Sequence, residues 1–172
     1  MTTWRDEHEA PAGQPRQLAV LGVLATRANR VVSRSDLIDA VWGDGPPASA
    51  EGGIYTYIAG LRRVFEPDRS SGSAGSSGSG GKGSGGKEKI RRTPSRVVVS
   101  TGGGYMLRLD PGSLDADEFE RSLARARGLR ASGDLTEALS AVNAALALWR
   151  GTAFAGVPGP FAEAERLRLD EL

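Results

Sequence analysis

Reactive side chains are scarce in this sequence, and cationic ones are bunched. Cysteine is absent and His8 is the single histidine, set among acidic residues near the N-terminus. Thiolate nucleophiles, thiolate metal sites and paired histidine ligands therefore have nothing to build on, and no catalytic residue, metal or cofactor is expected. The cations tell more. Arg62 and Arg63 close a helical pattern, and Lys82, Lys87, Lys89, Arg91, Arg92, Arg96 and Arg108 follow with few acids between them. From Asp110 onward acids outnumber bases, so the formal net charge of +1 averages two unlike stretches. A basic middle suits a polyanion, and an acidic tail suits a different partner.

Helices must position these cations. Gln17 to Arg27 places Leu18, Leu21, Leu24 and Ala25 on one side after Pro15, which predicts a first helix. Ala28 to Val32 reads as a loop. Ser33 followed by Asp36 predicts a capped second helix carrying Leu37, Ile38, Val41 and Trp42, ended by Gly43 to Pro47. A third helix spans Ser49 to Phe65, with Ser49 as N-cap and Ile54, Ile58, Leu61 and Phe65 as the buried stripe. At about 100° per residue, Thr56, Ala59, Gly60 and Arg63 point away from that stripe, with Tyr57 and Arg62 on the flanks. Gly52 and Gly53 are costly in a helix. They suit close approach of backbone to phosphate, or else a helix that starts nearer Ile54. Arg62 and Arg63 likewise admit a bland alternative, as cations suited to the C-terminal end of the helix dipole.

Residues 70–89 are almost entirely Gly, Ser and Lys, which predicts a disordered insertion. Gly81 to Lys87 imitates part of a phosphate-binding loop, but Glu88 replaces the Ser or Thr that would hold magnesium, and no strand precedes it. Its lysines suit non-specific phosphate attraction or solubility alone. Val97 to Val99 and Tyr105 to Leu109 then read as a hairpin around the glycine turn Thr101 to Gly104, with Tyr105, Leu107 and Leu109 on one face. Beyond Pro111 two helices are predicted: Asp115 to Ala131, on Phe119, Leu123, Ala126 and Leu129, and Leu135 to Arg150, on Leu139, Val142, Leu146 and Trp149. A third begins near Gly159 through Phe161, Ala164 and Leu167.

Three helices followed by a hairpin is the order of a winged helix-turn-helix. The fold class expected is mostly α with a small β-hairpin wing, followed by an incomplete all-α tetratricopeptide-like domain. The division expected is a DNA-binding domain at 1–109 and the start of a helical domain at 110–172. Helix three would enter the major groove, with Arg62 and Tyr57 against the backbone and Arg63 and Thr56 toward bases.

The segments Val31-Val32-Ser33-Arg34, Asp36 to Gly43, Pro46 to Ala50, Tyr57-Ile58, Leu61-Arg62-Arg63, Gly102 to Tyr105 and Ala147 to Gly151 together resemble the Streptomyces antibiotic regulatory protein family. The resemblance covers Gln14 to Leu172 apart from the insertion. It implies an OmpR-like winged helix joined to a bacterial transcriptional activator domain, binding direct repeats in double-stranded DNA upstream of biosynthetic gene clusters, as a dimer on DNA, and recruiting RNA polymerase. DNA contacts would come from Ser49, Thr56, Tyr57, Arg62 and Arg63, and from Arg96, Thr101 and Gly102 of the wing. Polymerase would face Trp42, Gly43, Asp44 and Gly45. Where the family carries a polar residue and an arginine on the groove side, this sequence has Ala59 and Gly60.

Acidic residues between Met1 and Pro15 do not suit a signal peptide, and no stretch approaches a span of roughly 20 apolar residues. A cytoplasmic, nucleoid-associated protein is expected, with no membrane partner. Two rival readings keep the same elements: a scaffold in which the helical repeats bind a protein, and a repressor that shares the DNA contacts.

Overall fold

The computed structural model describes residues 3–5, 8–10, 13–67 and 94–172. The insertion expected at 70–89, its phosphate-loop imitation and Arg91 and Arg92 lie outside the described residues. Strands β1 (Thr3–Arg5) and β2 (His8–Ala10) pair antiparallel, with Trp4 opposite Glu9. Among the described residues, no helix is long and apolar enough to cross a membrane.

Helix α1 (Pro15–Thr26) carries proline in its first turn, where the missing N–H would have no partner in any case. The spacing of its leucines predicts one buried stripe. Instead the structure buries Ala19 to Ala25 without a gap and leaves Leu18 half-buried. The reason is that α1 is enclosed. The two helices that follow it in the chain and the second strand of the hairpin lie against it, and the C-terminal helix packs on it as well. At Gly22 of α1 a Cβ would stand 2.6 Å from Phe154 Cε1 and 3.2 Å from Phe161 Cε1.

Residues Val32–Ser33, read from sequence as the end of a loop and the start of a helix, form strand β3. Helix α2 (Arg34–Trp42) follows, and Ser33 caps it as expected: its Oγ accepts from the Asp36 N–H at 3.0 Å, while its own N–H donates to Asp36 Oδ2 at 3.4 Å. Gly43, at φ +62°, ends the helix. Helix α3 (Ala50–Phe65) buries Ile54, Ile58 and Leu61 completely or nearly so. Ser49 occupies the N-cap position, but its side chain makes no capping bond; its carbonyl accepts from the Gly53 N–H at 2.9 Å.

Strands β4 (Val98–Thr101) and β5 (Gly104–Leu107) form the hairpin, and β3 adds to its far side, giving the order β3-β5-β4. Ser33 lies opposite Gly104 and Val32 opposite Tyr105. Tyr105 and Leu107 turn into the core, and Leu109 is half-buried. Asn29 ties the α1–β3 loop to the end of the hairpin: its side chain donates to the Leu109 carbonyl at 2.9 Å and accepts from the Leu109 N–H at 3.2 Å.

The C-terminal part is a helical hairpin, α4 (Asp115–Ala131) and α5 (Leu135–Ala147), followed by α6 (Pro160–Asp170). On α4 the expected face is kept, with Phe119 and Ala126 buried and Leu123 and Leu129 half-buried. On α5 it is not. Ala138 and Ala145 are buried and Val142 is half-buried, while Leu139 and Leu146 are 61% and 56% exposed. Small residues let α5 approach α4 closely, which turns the leucines outward. Trp149, beyond the end of α5, packs on Phe119 at a ring separation of 5.4 Å. On α6 the buried residues are Ala162 and Leu169 rather than Ala164 and Leu167, because α6 lies on α1 and α2 instead of stacking on α5. Val157 and Ala162 share one hydrophobic core with Leu21, Leu24, Ile54 and Leu107.

Candidate nucleic-acid interface

Helix α3 presents three different sides, and what each meets decides which residues are free to touch a ligand. The stripe of Ile54, Ile58 and Leu61 is committed to the core. One flank faces the hairpin: Arg62 Nε donates to the Val98 carbonyl at 2.9 Å, and its Nη2 donates to Ser100 Oγ at 2.8 Å. Arg62 thus ties α3 to β4. The other flank faces α1 and the end of α2. Tyr57 stacks on Trp42 with centroids 6.3 Å apart and planes 27° from parallel, and a Cβ on Gly53 would lie 3.4 Å from the Trp42 ring. Arg16 covers the Trp42 ring at 5.8 Å from its centroid.

Between these flanks Gly52, Thr56, Ala59 and Arg63 are exposed. The Thr56 hydroxyl donates back to the Gly52 carbonyl at 3.0 Å, as a helical threonine does when nothing else engages it. Gly60 does not belong to this strip, contrary to its place on the helical wheel. It is half-buried, and a Cβ there would run into the side-chain amide of Gln17 on α1. Gly52 and Gly53 both lie inside the helix, which begins before them at Ala50. Gly53 has a packing reason in Trp42; Gly52 faces open space. Gly52→Ala is accordingly expected to stabilise the fold by up to about 1 kcal/mol through helix propensity. A melting temperature that falls in a thermal unfolding scan would contradict this.

The wing stands beside the exposed strip. Gly102 and Gly103 at its tip are exposed, and a Cβ added at either would meet no atom within 4 Å, while Thr101 is half-buried. Arg96 is exposed, and its backbone N–H donates to Glu66 Oε1 at 2.6 Å. That carboxylate also accepts from the Val97 N–H at 2.6 Å and, on Oε2, from Ser95 Oγ at 2.8 Å. Glu66 is a residue that sequence reasoning missed: it anchors the start of the wing to the end of α3, and nothing in its spacing signals that partner. Among the described residues, no hydrogen-bond partner reaches the buried Trp42 Nε1, Arg34 Nε or Thr101 Oγ1.

The structure brings Thr56 and Arg63 together on one exposed face, and sets Tyr57 and Arg62 on its two borders as braces. Ser49 is exposed at the entry to the helix. Of the loop after α2, Asp44 and Gly45 are exposed, Trp42 and Gly43 are half-buried, and a Cβ on Gly43 would lie 3.5 Å from Pro160 Cγ at the start of α6. Two further side chains were not anticipated. Tyr55 is 50% exposed beside the strip, and the Arg34 guanidinium covers its ring at 5.4 Å from the centroid. A hydrogen bond to the Tyr105 side chain, followed by the proximity of Tyr55, raises the Arg34 pKa above its ordinary value.

A braced, partly cationic helix with a β wing beside it, joined to a helical hairpin, defines the class as a winged helix-turn-helix followed by a helical domain. Residues 8–74 match the family model described as Transcriptional regulatory protein, C terminal, and residues 114–172 match the Bacterial transcriptional activator domain. With this pair of domains, the chain belongs to the Streptomyces antibiotic regulatory protein family. Regulatory protein AfsR of Streptomyces coelicolor is 35% identical over 169 residues, which cover 98% of this chain and 14% of that protein. Regulatory protein DnrI of Streptomyces peucetius is 35% identical over 147 residues, covering 85% of this chain and 47% of that one. Among solved structures, Mycobacterium tuberculosis EmbR in complex with a low affinity phosphopeptide superposes with a TM-score of 0.74 at 25% identity, over 96% of this chain and 38% of that chain. The chain therefore spans less than half the length of each of these relatives.

Proposed function

We propose that this chain binds duplex DNA through α3 and the wing and activates transcription. The observation that carries the reading is the exposed strip of Gly52, Thr56, Ala59 and Arg63, held between two braced flanks with the wing alongside. A helix presented in this way fits a major groove about 12 Å wide, and the glycine tip of the wing suits the adjoining backbone. Arg63 supplies the charge, Thr56 a hydroxyl for a base edge, and Arg96 and Ser49 phosphate contacts. Arg62 and Tyr57 act mainly by fixing the wing and the first two helices to α3.

The winged helix extends to about residue 109, and the activator domain begins after it. Asp44 and Gly45, exposed in the α2–α3 connection, would face RNA polymerase, with Trp42 and Gly43 holding the base of the loop. The relatives are named regulatory proteins, AfsR and DnrI among them, which supports a regulatory role; on this reading that role is control of biosynthetic gene clusters, with two copies on direct repeats in the cytoplasm. The test is a gel shift with promoter DNA. Arg63→Ala is expected to bind about tenfold more weakly, with a salt dependence shallower by about one ion. Binding by Arg63→Ala equal to wild type at every salt concentration would sink the proposal.

A further inference from the structure

Tyr55 is an exposed aromatic side chain on a helix whose outward face is otherwise small or polar. It lies beside Thr56 and one turn before Ala59, so Tyr55 and Ala59 are i,i+4 neighbours on the helix surface. Half of Tyr55 is open to solvent, yet its ring is held. The Arg34 guanidinium lies over it at 5.4 Å, and the buried Tyr105 meets it edge-on at 6.5 Å with an interplanar angle of 87°. Arg34 is the first residue of α2, where a cation opposes the helix dipole. The aromatic rings, and Glu51 one turn before Tyr55, offset that cost. The result is a braced, half-exposed ring one turn before the exposed Ala59, on the side of α3 that faces the wing.

We infer that Tyr55 and Ala59 form an apolar notch that reads the 5-methyl group of a thymine in the major groove, with Arg34 as the positioning residue for the ring. This rests on the reading of α3 as a DNA-binding helix. The thymine methyl is the one apolar group that a base pair displays in that groove, and side chains that recognise it are apolar and need no hydrogen-bonding partner. A ring fixed in advance loses little rotamer freedom on contact. The notch also gives a role to Ala59, which has no polar group with which to read a base edge.

The test replaces dT by dU, one position at a time, in a duplex site selected from a random pool by the wild-type chain, so that only the methyl group is removed. At one dT the wild type is expected to lose about fourfold in affinity, the worth of one buried carbon. Tyr55→Ala is expected to bind the dT and dU duplexes equally, and Tyr55→Phe to keep the difference. Ala59→Gln, which fills the notch without touching the core, is expected to abolish preference for dT at that position. The inference is overturned if dU substitution weakens wild type and Tyr55→Ala alike, or weakens neither at any position. If the wild type enriches no sequence and binds no duplex in a salt-dependent way, the DNA-binding reading itself fails, an outcome distinct from a site that is bound but indifferent to the methyl.

Discussion

Gly104→Val lowers the melting temperature by roughly 6–12 °C and detaches β3 from the hairpin. Gly104 faces Ser33 across the β3–β5 ladder, and a Cβ there would lie 2.7 Å from the Val32 carbonyl carbon and 2.9 Å from Ser33 Cα. These are backbone atoms, so no side chain can swing aside. Overpacking of this kind costs on the order of 3 kcal/mol, which in a chain of this size corresponds to the stated shift. The same strand pair fixes the start of α2 to the root of the wing, so Ser33 would lose its register along with its cap. Thermal unfolding followed by circular dichroism checks this. A variant that melts with wild type would mean that β3 is not held where the structure places it.

Arg62→Ala should destabilise the fold by about 2 kcal/mol, because it removes charge-assisted hydrogen bonds and leaves the Val98 carbonyl without its donor. The same variant is expected to weaken DNA binding by loosening the wing, and Arg62→Lys should recover little, since an ammonium cannot serve Val98 and Ser100 with a planar fork. Here Arg62 and Arg63 part company: Arg63→Ala should lose affinity with the melting temperature unchanged, whereas Arg62→Ala should lose both. Unfolding and binding measured on the two variants separate brace from contact. Equal melting temperatures for Arg62→Ala and wild type would contradict the bracing role.

Much of this arrangement is legible in the sequence where local chemistry decides it. The Ser33–Asp36 capping box and the extent of α4 depend on residues three or four apart, and the structure agrees with both; of the expected α3 stripe it buries Ile54, Ile58 and Leu61 and leaves Phe65 half-buried. What the spacing does not reveal lies between distant segments. Strand β3 is two residues long, too short to alternate visibly, and owes its existence to Gly104 and Tyr105 far along the chain. On α5 both the leucines and the alanines recur at helical spacing, and only the approach of α4 chooses the alanines. Gly60 lies on the outward half of the wheel, but Gln17 from α1 occupies that space.

The site follows the same division. Thr56 and Arg63 fall on the exposed strip that periodicity assigns to them, because a helix fixes its own opposite side. Arg62 and Tyr57 carry side chains equally suited to DNA, and only the tertiary contacts to Val98 and Trp42 show that they brace the fold. Tyr55, Arg34 and Glu66 leave no mark in the sequence for one reason: each acts on a partner from another element, at a separation no local pattern encodes.

The most direct measurement of the central claim is selection of bound duplexes from a random DNA pool by the intact chain, repeated at low and moderate salt. A DNA-reading α3 predicts enrichment of a short motif, repeated in the same orientation about 10 base pairs apart, with affinity that falls steeply as salt rises. A pool that emerges without an enriched sequence, with retention indifferent to salt, would contradict it.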